Sequence, residues 1–84
     1  MFNQMKVFDI TDAPQEVFDV SHVFACEVFN HGNDSSYQFE VVENIDVEDQ
    51  GYGYLSEDQL KLLTDWLIAE GAVYGEFVMI NHWW

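Results

Sequence analysis

Seven carboxylates fall within nineteen residues in the middle of this chain. They are Glu40, Glu43, Asp46, Glu48, Asp49, Glu57 and Asp58. Clustered carboxylates suit three kinds of chemistry: binding a hard cation such as calcium, general acid–base catalysis, and attraction to a positively charged surface. The spacing of the seven residues, and the residue types around them, decide among the three.

Part of this acidic segment is spaced like a calcium-binding loop. The candidate ligands and turn residue are Asp46, Glu48, Gln50, Gly51 and Glu57. The match is poor, because Glu and Gln replace shorter side chains at two positions and the preceding segment is typical of a strand. We therefore predict no metal site and no cofactor, and we keep a calcium-dependent protein only as an alternative.

Catalytic arrangements are not indicated either. Carboxylate pairs occur along the whole chain, so no single pair points to acid–base catalysis. Cys26 lies among apolar neighbours, which predicts a buried structural thiol, and no cation stands nearby to activate it. His22, His31 and His82 are too widely spaced to predict a zinc site with one cysteine. We predict that the protein is not an enzyme and has no catalytic residues.

Charge is the feature that most narrows the possible partners. The 84 residues include 16 acidic side chains but only two cationic ones, Lys6 and Lys61, giving a formal charge of -14. Ordinary protein surfaces intersperse both signs. So negative a surface is repelled by nucleic acid and by anionic membranes, so we expect no direct binding to either. Attraction to a positively charged protein is the interpretation we favour.

Aromatic residues supply a second candidate binding feature. Tyr52 and Tyr54 alternate with glycines in a turn-forming segment, and Trp83 and Trp84 stand together in the C-terminal segment. Trp and Tyr are favoured at protein interfaces, so we predict these four residues as partner-binding anchors. The alternative is that one or both tryptophans close the bottom of a small core.

One helix must lie beside the acidic segment. Ser56 and Gln59 form the S-x-x-Q capping box, Gly71 suits the left-handed position after a helix, and the apolar residues between them recur at helical spacing. The pattern predicts a helix over Glu57–Glu70, packed on a sheet. Lys61, Thr64 and Asp65 are expected on its opposite, polar side.

Period-two alternation predicts strands in the rest of the chain. The expected strands are Lys6–Ile10, His22–Asn30, Tyr37–Val47 and Val73–Ile80. The turn-forming residues 31–36 would join the middle two as a hairpin, and Thr11–Phe18 is expected to hold a short helical turn or a strand running on from Val17. These elements predict one α+β domain over residues 1–84. Its antiparallel or mixed sheet of about four strands carries one main helix on one face and is partly free on the other.

In size, acidity and lack of arginine, the chain resembles the small acidic inhibitors encoded by phages and mobile elements, which include DNA-mimic and anti-CRISPR proteins. The resemblance covers composition and no motif, so it assigns no residue a role. It implies an inhibitor that binds a positively charged nucleic-acid-binding surface of a partner protein, such as a bacterial defence complex, and blocks nucleic-acid access. It also implies a location in the bacterial host cytoplasm, which suits a chain with a single cysteine and no signal sequence.

Two other interpretations stay open. The chain could be a homodimeric structural or regulatory interaction module, joined through an apolar strand edge and the C-terminal aromatics, without nucleic-acid mimicry. Its acidity could also be an adaptation to high salt. The expected oligomeric state is therefore a monomer or a homodimer.

Overall fold

A three-stranded mixed sheet and two helices make up the part of the chain that the computed structural model describes. The described residues are 5–28 (backbone alone for 27 and 28), 36–48 and 55–81. In chain order the elements are β1 (Lys6–Asp9), a 3-10 turn (Ile10–Asp12), α1 (Gln15–Val23), a π-helical turn (Phe24–Val28), β2 (Ser36–Glu40), α2 (Glu57–Ala69) and β3 (Phe77–Asn81). The predicted α+β class is confirmed. The described sheet has three strands rather than about four, and there is a second helix.

The last strand lies in the middle of the sheet. The order is β1-β3-β2, with β3 parallel to β1 and antiparallel to β2. Met79 on β3 is opposite Val7 of β1 on one side and opposite Gln38 of β2 on the other. The predicted hairpin is therefore wrong, because β2 pairs with β3 and the segment ahead of it is helical.

The structure confirms the predicted signals at both ends of α2. The Ser56 hydroxyl accepts a hydrogen bond from the Gln59 backbone N–H at 3.1 Å, and the Gln59 side chain accepts one from the Ser56 N–H at 2.8 Å. The helix ends at Ala69, and Gly71 has the left-handed φ of 114°. Thr64, expected on the polar side, is buried, since α1 as well as the sheet packs against α2 and widens its buried face.

The predicted strand over His22–Asn30 is wrong within the described residues. Residues 15–28 form α1 and its π-helical continuation, and the strand alternative from Val17 fails with it. The apolar residues Val17, Val20 and Phe24 are buried at a spacing of three to four, which suits a helix. The helical turn predicted within Thr11–Phe18 is present, as the 3-10 turn capped by Asp9 and as the first turn of α1.

The predicted strand over Tyr37–Val47 ends early, at Glu40. The chain beyond it leaves the sheet as a loop, residues 41–48, although Val41 still donates to the Glu76 carbonyl at 2.9 Å. The expected final strand begins at Phe77 rather than at Val73. A turn with Gly75 at a φ of 96° precedes it.

Both helices cover the same face of the sheet. The Phe24 ring, just after α1, lies 4.9 Å from the Tyr37 ring and 5.2 Å from the Phe39 ring between centroids. Trp66 of α2 packs edge-on against Phe8 of β1 at 6.3 Å. This covered face and the two helices enclose the apolar core. The burial of these aromatic rings together with the aliphatic core residues is the dominant stabilising contribution expected for the fold.

Candidate protein-binding surface

Four of the seven predicted carboxylates line one groove. Glu43, Asp46 and Glu48 come from the loop after β2, and Glu57 comes from the first turn of α2. Two adjoining hollows of about 160 and 440 Å³ make up the groove, and Glu57 borders both. We call this feature the acidic groove. The fold thus brings the loop after β2 close to the start of α2, although the two are about ten residues apart in sequence.

Local structure holds the acidic groove in shape. Ile45 is buried in the core and anchors the loop between the acidic side chains. The Asp46 carboxylate accepts a hydrogen bond from the Glu48 backbone N–H at 3.1 Å, which closes an Asx turn. The capping box at Ser56 fixes the helix start, where the positive end of the helix dipole favours the negative charge of Glu57. The groove is therefore built from positions that the backbone constrains.

Both lysines of the chain form ion pairs with carboxylates outside the acidic groove. Lys61 borders the groove, but its Nζ lies 3.1 Å from Oδ2 of Asp65, and that interaction raises the pKa of Lys61. Lys6 Nζ lies 3.1 Å from Oε2 of Glu76 and donates to the Gly71 carbonyl at 2.9 Å. Each lysine thus has a carboxylate partner outside the groove, and Lys61 also borders the hollow lined by Glu43 and Glu57.

The other predicted binding residues are not in the acidic groove or are not described. Glu40 is half-buried at the end of β2, on the sheet face opposite to the helices. Asp58 is exposed on the first turn of α2 and does not line the groove. Outside the described residues lie Asp49, Tyr52, Tyr54, Trp83 and Trp84.

Negative charge is not confined to the acidic groove. Asp12, Glu16 and Asp19 are exposed on the 3-10 turn and α1, a different part of the fold. Charge content alone therefore does not single out a site. What distinguishes the groove is that four carboxylates and a single lysine, Lys61, line its two hollows. A hollow with a strong excess of one sign of charge attracts an oppositely charged ligand.

The structure also has a second candidate binding surface, whose individual residues were not predicted from the sequence. The sheet face away from the helices presents Val7, 58% exposed, and Phe77, 50% exposed. The half-buried Met79 lies on β3, opposite Val7 and two residues after Phe77. We call this sheet face the open face. On β3 the exposed and half-buried apolar residues alternate with equally apolar buried ones, so hydrophobicity gave no signal for which side of that strand would be covered.

In the described ranges the potentially reactive side chains include one close pair, Cys26 and His22, and no metal-binding cluster. Cys26 is half-buried rather than buried as predicted, and its sulfur lies 3.7 Å from Nε2 of His22, one helical turn away. Because the segment is a helix rather than a strand, residue 26 sits at the edge of the core. Among residues 5–26, 36–48 and 55–81, no three His, Cys, Asp or Glu side chains are placed to hold a metal ion.

The buried polar pair in the core has a structural role. The hydroxyls of Ser21 and Tyr37 are 2.6 Å apart, and burial raises the pKa of Tyr37 well above its ordinary value, although the Ser21 hydrogen bond partly opposes the shift. The phenol thus stays neutral and hydrogen-bonded. It joins α1 to β2 on the covered face.

No helix in the described part of the chain is long and apolar enough to cross a bilayer. Comparison with protein-family models, with curated proteins and with solved structures finds no match to this chain. What the protein binds has to be inferred from its own surfaces.

Proposed function

We propose that this protein is an acidic inhibitor that binds a positively charged nucleic-acid-binding surface of a partner protein and blocks nucleic-acid access. The observation that carries the proposal is the acidic groove, where four carboxylates meet while both lysines pair elsewhere. Binding is stoichiometric and involves no chemical step.

The groove carboxylates would take the place of nucleic-acid phosphates. Arg and Lys side chains that normally grip phosphate also bind carboxylates, and Arg does so with two parallel hydrogen bonds. The net charge of -14 speeds the encounter with a cationic partner. The Asx turn at Asp46 and the capped start of α2 fix the backbone that carries the acids, which lowers the backbone entropy lost on binding.

Charge alone gives weak binding. An exposed ion pair contributes about 0.2–1 kcal/mol, so four pairs contribute at most about 4 kcal/mol, which corresponds to a dissociation constant of roughly 1 mM. Such a complex would also weaken steeply as salt is added. An effective inhibitor therefore needs apolar contacts in addition to the acidic groove.

The homodimeric interaction module is a second candidate, favoured by the exposed Val7 and Phe77 on the open face. Sedimentation equilibrium tests it. A stable dimer at micromolar concentration that dissociates on replacing Phe77 with Ser would support this candidate. A monomer at all concentrations would reject it.

A matched pair of charge variants tests the inhibitor proposal. The groove variant carries Glu43→Gln, Asp46→Asn, Glu48→Gln and Glu57→Gln, and the control carries Asp12→Asn, Glu16→Gln, Asp19→Asn and Glu70→Gln. Each removes four negative charges, and Glu16 matches Glu57 because both stand in the first turn of a helix. Asn at position 46 keeps the acceptor of the Asx turn.

The assay has two steps. Immobilised wild-type chain first captures proteins from a nuclease-treated bacterial lysate, and a captured nucleic-acid-binding protein is then tested for displacement of labelled DNA by each variant. We expect the wild type and the control to displace the DNA, and the groove variant to need at least tenfold more protein. Capture of non-basic proteins only, or equal loss in both variants, would contradict the proposal.

A further inference from the structure

The open face is apolar at its centre, although strands that face water usually carry polar residues there. Val7 lies directly opposite Met79 in the register, and Phe77 stands two residues before Met79 on the same face. Val7 is 58% exposed and Phe77 is 50% exposed, while Val78 and Ile80 on the other face are fully buried. Val7, Phe77 and Met79 are thus apolar although they do not fill the core, while β2 contributes polar side chains such as Gln38 to the same face.

The size of the open face suits a single helix better than a whole protein surface. Neighbouring strands lie about 4.8 Å apart, so β1 and β2 are about 10 Å from each other, and a five-residue strand is about 16 Å long. The resulting area, on the order of 160 Å², is far below the roughly 800 Å² per partner of a standard interface. A helix is about 10–12 Å across with its side chains, which matches the width of three strands.

The negative charge on and around the open face indicates which kind of helix would bind there. Glu40 is directly opposite Phe77 in the register and lies on the same face, and none of the described residues of this face is a lysine. A second copy of the chain also has a net charge of -14, so electrostatic repulsion would oppose its binding to this face. A helix with Lys or Arg beside its apolar stripe would place its cations near Glu40 and within the field of the whole molecule.

We propose that the open face binds a cationic amphipathic helix of the partner protein, with the apolar stripe of that helix on Val7, Phe77 and Met79. This inference rests on the proposed function and supplies the apolar contacts that the acidic groove lacks. Met79 suits the role, because its flexible thioether adapts to differently shaped side chains. The partner is then held at two surfaces of different chemistry.

Two synthetic peptides of identical composition test this inference. One is an 18-residue Leu/Lys helix with a continuous apolar stripe, and the other is a scrambled sequence with no stripe. Their affinities for the full chain are measured by fluorescence anisotropy of the labelled peptides in 0.15 M NaCl. We expect the amphipathic peptide to bind the wild type at least tenfold more tightly than the scrambled one.

Exposed-residue variants locate the contact. The double variant Val7→Thr/Phe77→Ser should reduce the affinity ratio of the two peptides to about one. The control Val73→Thr alters a residue in the turn before β3 that is also 58% exposed, and it should leave the ratio unchanged. Urea unfolding of each variant confirms that it is folded before the affinities are compared.

The possible failures are distinguishable. Equal, salt-sensitive binding of both peptides would overturn the helix-binding inference and leave the inhibitor proposal standing. Absence of binding by either peptide, even at 0.02 M NaCl, would contradict both. A wild-type dimer that becomes monomeric in the double variant would make a second copy the occupant and overturn the inference.

Discussion

Both faces of the sheet carry a large aromatic residue, but the environments of these two residues are opposite. Phe39 on β2 is 2% exposed under the helices, whereas Phe77 on β3 is 50% exposed on the open face. Both residues are next to Val78 of β3: Phe39 is its partner in the strand register, and Phe77 precedes it in the sequence. The comparison teaches that an apolar strand residue stabilises this fold only where α1 and α2 cover it. On the open face it is available for binding.

The largest expected difference is between the two phenylalanines. Phe39→Ala removes a ring packed against Phe24 and should lower the free energy of unfolding by about 3–5 kcal/mol, as for other buried aromatic truncations. Phe77→Ala should stay within about 0.5 kcal/mol of the wild type, as expected for an exposed position. Urea denaturation at neutral pH measures both values. Equal losses would mean that the open face is part of the core.

The next largest change in the free energy of unfolding is expected from the hydrogen-bonded pair of Ser21 and Tyr37. Tyr37→Phe leaves the buried Ser21 hydroxyl without its partner and should cost about 1–3 kcal/mol. The companion variant Ser21→Ala/Tyr37→Phe removes both hydroxyls and should recover part of that loss. If the double variant is as unstable as the sum of the two single changes, the hydroxyls do not act as a pair.

The raised pKa of Tyr37 should also make the stability of the protein depend on pH in the alkaline range. Because burial raises its pKa in the folded state above the ordinary 10.0, the folded state holds the phenol proton more tightly than the unfolded state. Its contribution is therefore complete below pH 10 and is lost as the pH rises further. Above pH 10, the unfolding midpoint of the wild type should fall with rising pH more steeply than that of Tyr37→Phe. Parallel curves would contradict this assignment.

Removing the N-terminal cap of α2 should change the free energy of unfolding by a smaller amount. Ser56→Ala removes the side-chain acceptor at the start of α2 and should cost about 1 kcal/mol. Because the same cap holds Glu57 beside the acidic groove, displacement of DNA from the partner should also weaken slightly. Ser56→Asp keeps an acceptor and should retain most of the stability. No change in Ser56→Ala would mean that the sheet, rather than the cap, fixes the helix start.

The smallest effect is expected from Glu76, just before β3. A hydrogen bond from the Val73 N–H lowers its pKa below the ordinary 4.5, and Lys6 adds to the shift. A lowered pKa contributes stability that is present above pH 4.5 and is lost as the pH falls through the folded value. Glu76→Gln should therefore be slightly less stable than the wild type at pH 7, and the difference should shrink as the pH falls below 4.5. A difference that does not change with pH would contradict this.

Local signals in the sequence were sufficient for α2 but not for α1. The capping box and Gly71 define α2 within a few residues, so that helix was predicted nearly to its end. In α1 and its continuation, Phe24, Cys26 and Val28 alternate like a strand, although Val17, Val20 and Phe24 recur like a helix. Packing of Phe24 against the sheet decides between the two, and that contact is long-range.

The candidate surfaces show the same limit. Composition indicated which carboxylates to consider, and four of them meet in the acidic groove because the chain leaves the sheet after Glu40. Apolar and acidic residues continue to mix beyond that point, so the exit from the sheet was not predictable from the pattern. The open face depends on which side of β3 the helices cover. Two apolar sides of one strand do not indicate this in advance.

The central claim is that a cationic partner binds at defined surfaces rather than to negative charge in general. Amide chemical shifts of the ¹⁵N-labelled chain, followed during titration with the amphipathic Leu/Lys peptide, test it most directly. The account predicts that the shift changes concentrate at residues 43–48 and 57 and at Val7 and Phe77, while Asp12 and Glu16 change little. Equally large changes at Asp12 and Glu16 would show diffuse attraction and contradict the claim.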